Sequence, residues 1–100
     1  MNEKEVFQYL NISQIEYFVS RSQGAGGQHV NRTNSSVQLR FSISQSFFSD
    51  EHKSRLLVKL KYKIAQDDIV LIRVESERDQ RTNKEIALKK LVSLLASALI

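Results

Sequence analysis

The chain has no cysteine and no proline, and its only three glycines lie between Gly24 and Gly27. Without cysteine there is neither a disulfide framework nor a thiolate zinc site, which fits a reducing compartment and makes the cytoplasm the default location. Aspartate and glutamate are missing from Ser20 to Ser49, so that stretch cannot supply the acid of a nucleophilic triad or a carboxylate pair. No run of 18 apolar residues exists to cross a membrane as a helix, and no membrane partner is expected. The opening MNEKEVFQYLNIS has neither the basic and apolar regions of a secretory signal nor the arginine content of a transit peptide.

What is present reads as one small domain over residues 1–100: the length and a 41% hydrophobic content suit a single core. The net charge of +4 is modest, but its distribution is uneven. Arg21, His29, Arg32 and Arg40 occupy the acid-free stretch, and Lys53, Arg55, Lys59, Lys61 and Lys63 follow with Glu51 as their acidic neighbour. A basic helix face in isolation is ordinarily a solvated one. Joined to an acid-free glycine loop, the patch favours a polyanionic partner.

Ile15, Tyr17 and Val19 alternate with Glu16, Phe18 and Ser20, and Val37, Leu39, Phe41 and Ile43 more cleanly with Gln38, Arg40 and Ser42, and the period of two predicts two strands. The connection between them is about 14 residues where 2 to 5 is usual, a length that points to function. Ser49 predicts an N-cap with Asp50 and Glu51 in the first turn. Leu56, Leu60 and Ile64 then predict an amphipathic helix of about four turns with Arg55, Lys59 and Lys63 as a basic stripe. Asp67 and Asp68 turn the chain into a third strand, with Val70, Ile72 and Val74 on one face. Thr82 and Glu85 form a capping-box pattern before a last helix carrying Ala87, Leu91, Leu94, Leu95 and Ala98. The order β-β-α-β-α predicts an α+β domain: a small sheet, two helices on one face, and a long GGQ loop between the first two strands.

The glycine loop SRSQGAGGQHVNRT is not a nucleotide cradle. A dinucleotide fingerprint needs glycine where His29 stands, and a Walker loop needs a Gly-Lys-Ser/Thr ending that is missing. The two histidines, His29 and His52, make a poor metal site without thiols or an acid cluster, so no metal is expected. Two readings remain. The loop is a hairpin tip, or it is a catalytic device that works through backbone: Gly26 and Gly27 let main-chain N–H groups approach a substrate closely and stabilise a developing oxyanion. Gln28 then offers an amide that is no general base near neutral pH, which implies water positioned against an already reactive acyl ester.

The segment SRSQGAGGQHVNRTNSSVQLRF resembles the Gly-Gly-Gln segment of the class I peptide-chain release factor superfamily. DQRTNKEIALKKL is similar to that family's S-Q-x-x-N-x-E-x-A-L-x-x-L segment, with Asp79 where the family usually has serine. The likeness runs from about residue 13 to the end, and the short chain looks most like the ribosome-rescue peptidyl-tRNA hydrolases of the alternative rescue factor B type. The resemblance implies codon-independent hydrolysis of the peptidyl-tRNA ester on stalled ribosomes. Gly26, Gly27 and Gln28 would enter the peptidyl-transferase centre of the large subunit. Gln28 would be a candidate for N-methylation by a glutamine methyltransferase. Arg21, His29, Asn31, Arg32 and Arg40 would contact ribosomal or tRNA backbone, with the Arg55, Lys59 and Lys63 stripe beside them. No cofactor is implied, and a monomer is expected.

Rescue factors of this type carry a Lys/Arg-rich tail that occupies the empty mRNA channel. The chain ends at ASALI, so the expectation is that these residues are part of a longer protein. Two other readings stay open: the catalytic domain of a codon-reading or damaged-ribosome release factor, and a noncatalytic RNA-binding module.

Overall fold

A computed structural model of the chain describes residues 1–10, 14–21, 35–75 and 79–100. Along the chain come α1 (Glu3–Leu10), β1 (Ile15–Arg21), β2 (Ser35–Ser42), α2 (Asp50–Lys59), a 3₁₀ turn (Lys61–Lys63), β3 (Ile64–Gln66), β4 (Ile69–Val74) and α3 (Gln80–Ala98). The four strands form one antiparallel sheet in the order β1-β2-β4-β3. The expected α+β class holds, with one strand and one helix more than the expected order.

Register follows from the alternation of side chains. Ile15 faces Phe41, Tyr17 faces Leu39 and Val19 faces Val37 across β1 and β2; Phe41, Leu39 and Val37 then face Val70, Ile72 and Val74 across β2 and β4. A one-residue slip would turn all of these to the opposite face. Val37, Leu39 and Phe41 are fully buried, and Leu39 and Phe41 share a core with Val6, Leu10, Leu56, Leu60, Leu91 and Leu95. All three helices therefore cover one face. The opposite face carries Phe18, Gln38, Arg40, Leu71 and Arg73, the first of them exposed.

Helix α1 is an addition to the expected order. Eight residues are too few for a stable isolated helix, and one local capping motif and two anchors explain it. The Asn2 side chain accepts from the Glu5 amide (2.8 Å) while the Glu5 carboxylate accepts from the Asn2 amide (3.1 Å), a reciprocal capping box. Val6 and Leu10, one turn apart, are buried against the core, each contributing about 1.5–3 kcal/mol of burial.

The other differences are of boundary. Ser49 caps α2 as expected, accepting from the His52 amide at 3.1 Å. The expected four-turn helix, however, stops at Lys59: the chain tightens through Lys61–Lys63, and Ile64 pairs with Val70 as the start of β3. The four-residue spacing of Leu56, Leu60 and Ile64 persists because all three turn to the same core, the last from a strand. Asp67, at φ 53°, and Asp68 make the β3–β4 turn, and aspartate tolerates that left-handed conformation. Helix α3 is capped by Asp79 rather than Thr82: the Asp79 carboxylate accepts from the Arg81 and Thr82 amides (both 3.3 Å), and the Thr82 hydroxyl donates to it at 2.8 Å. Thr82 is thereby a helical residue whose hydroxyl serves the cap.

Candidate functional site

The β1–β2 ladder ends at the pair Arg21 and Ser35. Cross-strand partners sit about 4.5–5.5 Å apart, so the two points from which residues 22–34 depart are held close together on one end of the sheet. Gly26, Gly27, Gln28, His29, Asn31 and Arg32 belong to that segment and lie outside the described residues, as does the Arg21 side chain.

The loop's exit is fastened from a distance. Asn83, the fourth residue of α3, is fully buried, and its amide nitrogen donates to both the Ser35 carbonyl (3.0 Å) and the Ser35 hydroxyl (2.8 Å). The NH₂ group has two donors, and the two acceptors of one residue take them. Ser35 and Ser36 are themselves buried, so these bonds form away from water, where leaving an acceptor unmatched is costly. An asparagine near a helix start reads in sequence as an ordinary exposed polar residue, and nothing in composition or periodicity marks Asn83. The signal that could have found it is the second family segment itself: the asparagine of S-Q-x-x-N falls on Asn83. Its alanine and last leucine fall on the fully buried Ala87 and Leu91. That segment is thus the part of α3 that secures the first residue after the glycine loop. Its one departure, Asp79 for serine, keeps an N-cap, since both side chains accept from the first-turn amides.

The remaining basic residues are divided between two surfaces. Arg40 lies in β2 on the sheet face that none of the described helices covers, its guanidinium 5.5 Å from the centroid of the exposed Phe18 ring. Such a pair holds a cation beside a free aromatic surface. Arg55 and Lys59 ride on α2, on the helical side, and Lys63 is in the following 3₁₀ turn. Arg55 is 3.6 Å from Glu51 one turn earlier, an exposed pair of little energetic weight. Arg40 therefore does not share a surface with the α2 stripe.

The end of the sheet opposite the loop is closed by Asp68. Its carboxylate accepts from the Ser42 hydroxyl (2.7 Å) and the Ser44 amide (2.6 Å). Partial burial acts to raise its pKa, but these hydrogen bonds to the charged form outweigh it and hold the carboxyl below the usual aspartate range. On the core face, burial pushes the Tyr17 phenol up, and the Lys84 ammonium lies 5.6 Å from its ring centroid. Among the described residues no helix is long and apolar enough to cross a membrane.

A family model described as the RF-1 domain matches residues 4–99. Peptidyl-tRNA hydrolase ArfB of Pseudomonas putida is 38% identical over 90 residues, which cover 90% of this chain and 66% of that protein. Large ribosomal subunit protein mL62 of Mus musculus is 28% identical over 96 residues, 95% of this chain and 47% of the mouse protein. The chain thus spans just under two thirds of the bacterial relative's length and about half of the mouse relative's.

Proposed function

This chain belongs to the RF-1 domain family, and on that premise we propose that it hydrolyses the ester of peptidyl-tRNA on stalled ribosomes without reading a codon. The observation that carries the reading is the likeness, over nine tenths of the chain, to a protein named a peptidyl-tRNA hydrolase. The placement of the Gly-Gly-Gln run between two paired strands supports it.

The reaction consumes one water: its oxygen bonds to the ester carbonyl carbon, the bond to the ribose oxygen breaks, and peptide acid and free tRNA hydroxyl leave. The role assigned to Gln28 is electrostatic. Its backbone N–H stabilises the oxyanion or the leaving oxygen, and its side-chain amide orients the water. Gly26 and Gly27 keep Cβ atoms out of that approach. The large subunit's peptidyl-transferase centre supplies the dry cavity and the remaining groups. Arg21, His29, Asn31, Arg32 and Arg40 contact RNA backbone, and Arg55, Lys59 and Lys63 add a second basic surface. Residues 1–100 act as one catalytic domain, as a monomer in the cytoplasm, with Gln28 a substrate for glutamine N-methylation.

Peptide release from stalled ribosomes carrying peptidyl-tRNA tests the proposal. Gln28→Ala is expected to lower the release rate by about 10²-fold or more, the scale of losing one oxyanion-type contact, with binding kept. Wild-type release that survives Gln28→Ala unchanged would overturn it. A second reading, that of a resident RNA-binding subunit, is favoured by the name of the mouse relative, and that same result would support it.

A further inference from the structure

Strand β3 is only three residues long and pairs with Ile69 and Val70, so among the described residues the β4 edge from Leu71 to Val74 has no strand partner on that side. Between this edge and α3 lies a cleft of about 530 Å³, closed at one end by the 3₁₀ turn. Its walls carry three cations from three different elements: Lys63 from the turn, Arg73 from β4 and Lys90 from α3. Tyr62 stands beside them with its ring largely in solvent, and Ser93 and Ser97, one helical turn apart, line the α3 wall. None of the described lining residues is acidic. Lys63 and Lys90 have no carboxylate within ion-pair distance among the described residues. Arg73 is 3.7 Å from Glu75, but both side chains are about half exposed or more, and such a pair yields readily to a better acceptor.

Three cations lining one cleft, with the exposed Glu75 as their one paired carboxylate among the described residues, repel one another, and a cleft of this kind persists because water screens it. A ligand that brings several negative charges at fixed spacing relieves that repulsion at each of them. We propose that this cleft binds the phosphodiester backbone of RNA, with Lys63, Arg73 and Lys90 on phosphates, the two serine hydroxyls on phosphate or sugar oxygens, and Tyr62 stacked on a neighbouring base. The proposal deepens the ribosomal reading above and rests on it. It places a docking contact on the side of the sheet's β3 edge, whereas residues 22–34 leave from the β1–β2 end.

Equilibrium binding of the full chain to ribosomes carrying peptidyl-tRNA, and to a single-stranded RNA oligonucleotide, read against salt concentration, tests it. The variant is Lys63→Gln/Arg73→Gln/Lys90→Gln; all three positions are exposed, so the fold is kept. The control is Lys4→Gln/Arg81→Gln/Lys89→Gln, which removes the same charge around a different groove, between α1 and α3, and at the α3 start. Removing three phosphate contacts is expected to weaken both interactions about tenfold or more near 0.1 M salt and to flatten the slope of log affinity against log salt by about 2. The control is expected to change affinity less than about threefold. Equal losses in both variants, or no loss in the cleft variant, would overturn the proposal. So would weaker ribosome binding with an unaltered salt slope and unaltered oligonucleotide binding, the result for a cleft that holds a protein strand. The stated losses in the cleft variant, together with a wild type that binds yet releases no peptide, would sink the catalytic reading alone and leave the cleft supported.

Discussion

Strand β2 is fastened at both ends by a side chain from far along the chain, and the two fastenings differ in kind. At Ser35 the partner is the neutral amide of Asn83, fully buried and 48 residues away; at Ser42 it is the carboxylate of Asp68, 26 residues away and near water. A neutral amide in a dry site does not titrate, and its removal strands two acceptors that water cannot easily reach. A carboxylate at the surface titrates, and water replaces it when it is gone. The fastening beside the departure of the Gly-Gly-Gln segment thus has no titrating group of its own and is intolerant of substitution. The far end is the reverse.

The strongest way to break this contrast is Asn83→Leu, which keeps approximate volume and deletes both donors. Leaving the Ser35 carbonyl and hydroxyl without them is expected to cost about 3 kcal/mol, read as a fall in the denaturation midpoint at constant m-value. A loss below about 1 kcal/mol would mean the amide merely fills space. Ser35→Ala is the finer probe. It removes the 2.8 Å acceptor and leaves the 3.0 Å bond to the carbonyl, so about 1 kcal/mol is expected, with the loss of the double variant set by Asn83 alone.

How much of this could be read in advance depends on whether a residue's role is local. Strands β1, β2 and β4 were legible because alternation such as Val37, Leu39, Phe41 against Gln38, Arg40, Ser42 is written in consecutive residues. The Ser49 cap was legible for the same reason. Ile64 was not, since a residue facing the core from a strand satisfies the same spacing as one on a helix. Asp79 and Thr82 are both good caps, and only the position where the backbone turns decides between them. Val6 and Leu10 are too few to announce a helix, although Asn2 and Glu5 spell its capping box. Asn83 carries no mark in composition or periodicity, because its burial is made by β2, not by α3, and the family segment alone points to it. The catalytic candidates Gly26, Gly27 and Gln28 were legible as a motif, while the cleft of Lys63, Arg73 and Lys90 gathers residues from three separate stretches that no spacing rule connects.

The smallest expected effect has the clearest signature. The Asp68 carboxyl is held below the usual aspartate range, so its charged form is favoured in the folded chain relative to the unfolded one. A depressed carboxylate stabilises above its unfolded pKa and loses that contribution as pH falls through the folded value. The advantage of wild type over Asp68→Asn is therefore expected to be constant from neutral pH down to about 4 and to shrink below it. Because the group is mostly solvated, its size is less than about 1 kcal/mol. Urea midpoints at neutral pH and again below about pH 4 check this. Asn83→Leu under the same titration is expected to lose the same stability at every pH. Were its loss also to shrink in acid, the Ser35 end would be coupled to a titrating group and the contrast between the two ends of β2 would fail.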